Sequence, residues 1–306
     1  MKLPIIMAPM FLVSTPQMVI EACKRGIIGS FPLLNARTLE SCEEWLSEIK
    51  ENVSSDQTWA VNYIAHKTNK RFEEDLGLIE KYQPPVVIVS LGYPGKVVET
   101  VHRYGGLVYA DVANVKHARK SAEAGVDGLI LVCAGAGGHG GTLHPFAFFH
   151  AVKEFWNKTI ILSGAISEGE DILSAQTLGA DYVYMGTRFI ATTESAAFPE
   201  YKDMLLTSTT EDILYSNSFS GVYANYLIPS LQRNNIDPAL LKHNEKMDLD
   251  HMIDAKAWRD IWSAGQGVTM VEKVQTVAEV IEELELEYLQ AVERMRSCVP
   301  DFISKQ

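Results

Sequence analysis

The 306-residue chain has little cysteine, no excess of positive charge and no long apolar run, and each shortage removes a class of protein. Its 4 cysteines, Cys23, Cys42, Cys133 and Cys298, are scattered without C-x-x-C spacing. Neither a zinc knuckle nor a redox dithiol is indicated, and reduced thiols in a cytoplasmic setting are the expectation. Lys and Arg number 27 against 39 Asp and Glu, a net charge of -12. That balance disfavours a nucleic-acid groove or an anionic membrane surface, both of which reward clustered cations. The apolar start, MKLPIIMAPMFLVSTP, is broken by Pro4, Pro9 and Pro16 and has no small-residue cleavage site, and no segment approaches the length of a membrane span. H-E-x-x-H, G-x-S-x-G and G-x-x-x-x-G-K-[ST] are missing and no metal-ligand cluster stands out, so no metal is expected.

What the chain has is a repeated alternation. Short branched or aromatic runs, PIIMAP, GIIGS, WAVNYIA, VVIVS, GLVYA, GLILV, IILS and YVYMG, read as about eight buried parallel strands. Stretches between them, such as ANVKHARKSAEAGVD and SEGEDILSAQTLGAD, return apolar residues every three or four positions. Gly26, Gly105, Gly125 and Gly179 stand where each helix should close. AGVDGLIL and LGADYVYM repeat one device, a helix stop, a turn and a buried strand. Right-handed crossovers leave an open doubly wound sheet or a closed barrel, and the strand count and chain length favour the (β/α)8 TIM barrel.

The pattern changes after Phe198. SGVYANYLIPSLQ and LLKHNEKMDLDHM read as helices without intervening strands, so residues 199–261 are expected to form a helical lid. Residues 1–198 and 262–306 would then build the barrel. Val271, Val274, Val277, Ile281 and Leu284 predict a long amphipathic helix from Val268 to Ser297.

Barrels of this kind carry their chemistry on the loops after the C-terminal ends of the strands. Those ends supply Ala8, Pro9 and Met10; Ser30 and Phe31; Asn62; Ser90 and Gly92; Asp111; Ser163, Gly164 and Ala165; and Gly186, Thr187 and Arg188. The last two loops, SGAISEG and MGTRF, bring backbone N–H groups to the place where barrels commonly hold a phosphate. CAGAGGHGG sets His139 among glycines in the loop after strand six, where an imidazole suits proton transfer at carbon. His66, His102, His117, His144 and His150 lack that setting and read as structural or surface residues. Asp111 is the main carboxylate at the mouth, which leaves a paired-carboxylate glycosidase poorly supported.

PIIMAPM, the Asn of WAVNYIA, AGGHGGT, SGAISEG, LGADYVYMGTRFIATTES and WSAGQGV together resemble the nitronate monooxygenase family, formerly called 2-nitropropane dioxygenases. The resemblance extends over nearly the whole chain and is most specific from Leu178 to Ser195. It implies an FMN-dependent TIM barrel that oxidises alkyl nitronates, with a small-molecule substrate and O2 as partners and a homodimer admissible. Relatives that reduce enoyl thioesters or quinones with NAD(P)H supply the rival activity. Carried over by motif, Ala8, Pro9 and Met10 would line the isoalloxazine and Asn62 would bond its polar edge. Gly164, Ala165, Gly186 and Thr187 would hold the phosphate, with Gly138 and Met185 as further contacts. His139 would handle the substrate proton, and Gln266 would reach the flavin site from the returning tail. Three departures stand out. Cys133, Ala134, Gly135 and Ala136 occupy a stretch where relatives often carry Glu, Gly164-Ala165 replaces a common Gly-Gly, and Asp111 stands where some relatives place Lys.

Overall fold

The computed structural model describes residues 2–66, 68–244 and 259–298. Eight parallel strands, β1 (Ile5–Met7), β2 (Gly29–Pro32), β3 (Trp59–Ile64), β4 (Val86–Ser90), β5 (Leu107–Val112), β6 (Gly128–Val132), β8 (Thr159–Ser163) and β9 (Tyr182–Met185), run in the order β1-β9-β8-β6-β5-β4-β3-β2. The Met7 N–H donates to Ile28 O at 2.8 Å and the Ile28 N–H to Ile5 O at 3.0 Å, which joins the two ends of the sheet into a TIM barrel. Alternate residues of each strand divide between two cores, as the two-residue period of a strand requires. Ile6, Ala60, Ile88, Ile130 and Ile161 fill the barrel, while Ile5, Met7, Val61, Val87, Leu129, Leu162, Val183 and Met185 face the surrounding helices.

Local signals place the helices. Thr15, Thr38 and Asn114 cap α1 (Pro16–Lys24), α2 (Leu39–Asn52) and α5 (Val115–Glu123), each accepting a hydrogen bond from a first-turn amide. Gly26, Gly105, Gly125 and Gly179 all adopt positive φ, the conformation their closing role calls for. Gly169, the first residue of α7 (Gly169–Leu178), lies against the C-terminal helix (Val277–Cys298), and its N–H donates to Glu287 Oε2 at 2.8 Å. A Cβ at this position would collide with the backbone of Glu287 and Tyr288. Gly169→Ala is therefore expected to push the two helices apart at a cost of roughly 1–3 kcal/mol. The check is a lower urea midpoint with an unchanged m value.

Two expectations need correction. SGVYANYLIPSLQ is not one helix: β11 (Ala224–Leu227) precedes α10 (Ile228–Arg233), and β11 pairs with β10 (Ile213–Ser216) and with the two-residue β7 (Gly138–His139). Strand pairing prevails because Ala224, Tyr226 and Leu227 are all buried and Pro229 begins the helix behind them. The C-terminal helix starts at Val277 rather than Val268. A 3-10 turn (Gln266–Met270) comes first, and Val274 is exposed. The segment LLKHNEKMDLDHM falls largely outside the described residues.

Candidate active site

A cavity of about 690 Å³ opens at the C-terminal ends of the strands. Ala8, Pro9, Met10, Asn62, Asp111, Gly138, His139, Gly164, Ala165, Gly186 and Thr187 all line it, so the strand-end rule gathers most of the expected residues in one place. Two expected contacts are elsewhere. Met185 points outward into the helix-facing core, because the side-chain alternation along β9 gives the interior to Tyr184 instead. The Gln266 side chain is exposed and is not part of the cavity lining, but it lies against the loop at Gly135, where a Cβ would stand 2.9 Å from its Oε1, and its N–H donates to Gly135 O at 2.9 Å. His66 and His117, expected to be structural or surface residues, do line the mouth.

The loops after β8 and β9 form an anion cradle. Gly164 has φ +122° and Ala165 φ +54°, two successive left-handed residues that turn the backbone sharply. Such a conformation is strained for alanine and characteristic of functional sites. A Cβ on Gly164 would stand 2.8 Å from Ala134 O, so glycine is required there, whereas Gly186 has room for one. The amides of Gly164, Ala165 and Gly186 donate to no backbone carbonyl among the described residues. Thr187 Oγ1 accepts the Gly265 N–H at 2.8 Å, which leaves its own proton to donate elsewhere. This cradle fits a phosphate.

His139 does not sit in a loose turn. It belongs to β7, where it pairs with Ala224 while Gly138 pairs with Asn225. The Gly138 N–H donates to Ser263 Oγ at 2.8 Å, Tyr215 OH donates to Gly140 O at 2.9 Å, and Asn225 Nδ2 donates to Ala136 O at 2.6 Å. His139 Nε2 lies 3.2 Å from Ser220 Oγ, and that hydroxyl donates to Val222 O at 3.1 Å. A Ser220 proton given to Val222 would leave Ser220 accepting from Nε2, the tautomer in which Nδ1 is the basic nitrogen. Desolvation pushes the imidazole down from its usual value to about 4, so it is neutral at physiological pH. Sequence reasoning missed Ser220, Asn225 and Ser263, since nothing local to them marks a partner so far along the chain.

The floor of the cavity is polar. Asn62 Nδ2 donates to Ser90 Oγ at 2.7 Å, and Ser90 Oγ donates to Asp111 Oδ2 at 2.5 Å. Burial raises the Asp111 carboxyl to about 7, opposed by the Ser90 hydrogen bond. No group of three or more metal-ligating side chains occurs among the described residues.

The mouth of this TIM barrel combines an anion cradle, a polar floor and a neutral histidine, and the family the chain matches makes it a flavin-dependent oxidoreductase. Comparison with known proteins narrows the class: the model of the Nitronate monooxygenase family matches residues 30–287, and the chain belongs to that family. A relative from Paraburkholderia phytofirmans, named nitronate monooxygenase, is 24% identical over 349 residues, covering 96% of this chain and 94% of its own length. Among solved structures, FabK from Thermotoga maritima aligns with a TM-score of 0.82 at 24% identity, covering 97% of this chain and 96% of its own. Nitroalkane oxidase from Streptomyces ansochromogenes aligns with a TM-score of 0.83 at 22% identity, covering 96% and 97% respectively. These two likenesses bear on the fold.

Proposed function

We propose that the chain oxidises alkyl nitronates with O2, at a bound FMN, to a carbonyl compound and nitrite. The observation that carries this reading is a neutral imidazole held by β7 and Ser220 in the same cavity as the phosphate cradle. When bound, FMN supplies the electron transfer and the reaction with oxygen, which side chains cannot perform. Gly164, Ala165, Gly186 and Thr187 would hold its phosphate, and Ala8, Pro9 and Met10 would line the ring.

His139 divides the work with the ligand. As a neutral base it accepts the α-proton of a nitroalkane at Nδ1. As an imidazolium beside a nitronate it balances the negative charge, and that charge in turn raises a pKa which desolvation alone holds low. The β10–β11 segment carries Ser220 and stacks Tyr215 on Tyr223 with ring centroids 4.9 Å apart, and Tyr215 OH donates to Gly140 O next to His139. Residues 213–227 are thus assigned to the substrate side of the site.

The test is a visible spectrum of the purified protein, recorded anaerobically before and after a nitronate and then NAD(P)H. A yellow protein bleached by nitronate, and releasing nitrite when air is admitted, is the expected result. Rapid bleaching by NAD(P)H alone would assign the chain instead to the enoyl-thioester or quinone reductases.

A further inference from the structure

Barrel interiors are packed with branched apolar side chains, and the lower layers here obey that rule with Ile6, Ala60, Ile88, Ile130 and Ile161. One layer higher the chemistry changes. Asn62 Nδ2 donates both to Ile88 O at 3.1 Å and to Ser90 Oγ at 2.7 Å, and the single Ser90 hydroxyl proton goes to Asp111 Oδ2. The Ser90 proton is committed to the carboxyl, so Oδ2 is engaged as an acceptor and any carboxylic proton resides on Oδ1. Asp111 Oδ1 and the Tyr184 hydroxyl are both buried with no hydrogen-bond partner among the described residues. Both residues line the cavity, and Tyr184 is only 8% exposed. An orphaned buried polar group is costly to leave unpaired, so two of them lining one cavity point to a ligand edge that completes them.

We propose that Asp111, backed by Ser90 and accompanied by Tyr184, is a proton-exchanging subsite for the flavin ring and takes up a proton on Oδ1 when the ring is reduced. This rests on the reading that the cavity holds a flavin. Reduction of a bound ring by two electrons from dithionite, with one solvent proton, would leave it with one negative charge. An ionised carboxylate in the same dry space is repelled by that charge, so Asp111 binds a second solvent proton. The balance is two electrons and one proton on the ring and one proton on Asp111. Oxidation returns all of them.

The surroundings leave this role to Asp111. Burial already holds its carboxyl near neutrality. From β9, Tyr184 is driven far above its usual value and stays protonated, and on its own strand Tyr109 is raised to about 12. Ser90, Asn62 and Val132 on the adjoining strands do not titrate. Lys120, His66, His117, His139, Tyr93 and Tyr201 are the cationic or titratable groups elsewhere in the lining, and none of them contributes to the Asp111 shift, whose causes are desolvation and Ser90 alone.

The experiment is a potentiometric titration of the FMN-loaded protein with dithionite across the neutral pH range. For the wild type the fall of the midpoint potential with pH should steepen from one proton per two electrons to two as the pH rises through about 7, where Asp111 of the oxidised protein ionises. For Asp111→Asn the slope should stay at one proton per two electrons. Ser90→Ala removes the donor that favours the carboxylate, so its change of slope should move to higher pH. This second variant also serves if the first fails to fold. Identical slopes in the wild type and Asp111→Asn, or an unmoved break in Ser90→Ala, overturn the proposal while leaving the flavin reading intact. A protein that takes up no FMN overturns both.

Discussion

Replacing His139 by Asn is expected to lower kcat/KM for neutral nitroalkanes by about 10²- to 10⁴-fold, the usual worth of a positioned general base. Flavin absorbance should be retained, and turnover of pre-formed nitronates should fall far less, because the anion arrives without the proton that His139 removes. The wild-type rate with nitroalkanes carries a second signature. Only the neutral imidazole can act as base, so kcat/KM should stay level through neutrality and fall as the pH drops through about 4. Parallel assays of nitrite release with the two forms of one substrate make the distinction. Equal losses for both would reassign His139 to holding the anion, and no loss for either would remove it from the reaction.

Asp111→Asn is expected to stabilise the flavin-free protein at alkaline pH, even though it disturbs the site. Below about pH 4 the carboxyl is protonated in folded and unfolded chains alike. As the pH rises, the unfolded chain ionises first and the buried group holds its proton until about 7. Over that interval the folded state binds more protons, so stability falls with rising pH and the loss is complete above the folded value. The full effect is about 4 kcal/mol. Urea unfolding of the wild type and the variant at mildly acidic and mildly alkaline pH should show a gap that opens as the pH rises. A gap that stays constant would mean that the carboxyl is better solvated than its buried Oδ1 implies.

The barrel was legible in the sequence because its rules are local. Period-two apolar runs, capping Thr and Asn residues and closing glycines each act within a few residues, and all four glycines expected to close helices do adopt positive φ. The cavity lining followed in large part from the strand-end rule, but Ser30, Phe31 and Arg188 do not line it, and Met185, expected from the resemblance, faces the outer core. Met185 and Tyr184 are neighbours on β9, and a single step along a strand exchanges cavity for outer core. The second sheet was not legible. β7 has two residues, β10 and β11 have four each, and their pairing joins segments far apart in the chain. The Ser220 partner of His139 is 81 residues away, and the Ser263 partner of Gly138 is 125 away. No periodicity records contacts of that range.

The pairing of His139 with Ala224 has a bearing on how such a site can diversify. The imidazole is aimed by a ribbon outside the barrel, while the cradle and the floor belong to the barrel itself. Substitutions within 213–227 other than at Asn225, which holds Ala136 O, would retune which acidic carbon faces the base while leaving the proposed cradle in place. One half of the pocket is thereby free to drift toward new small molecules while the other stays under constraint.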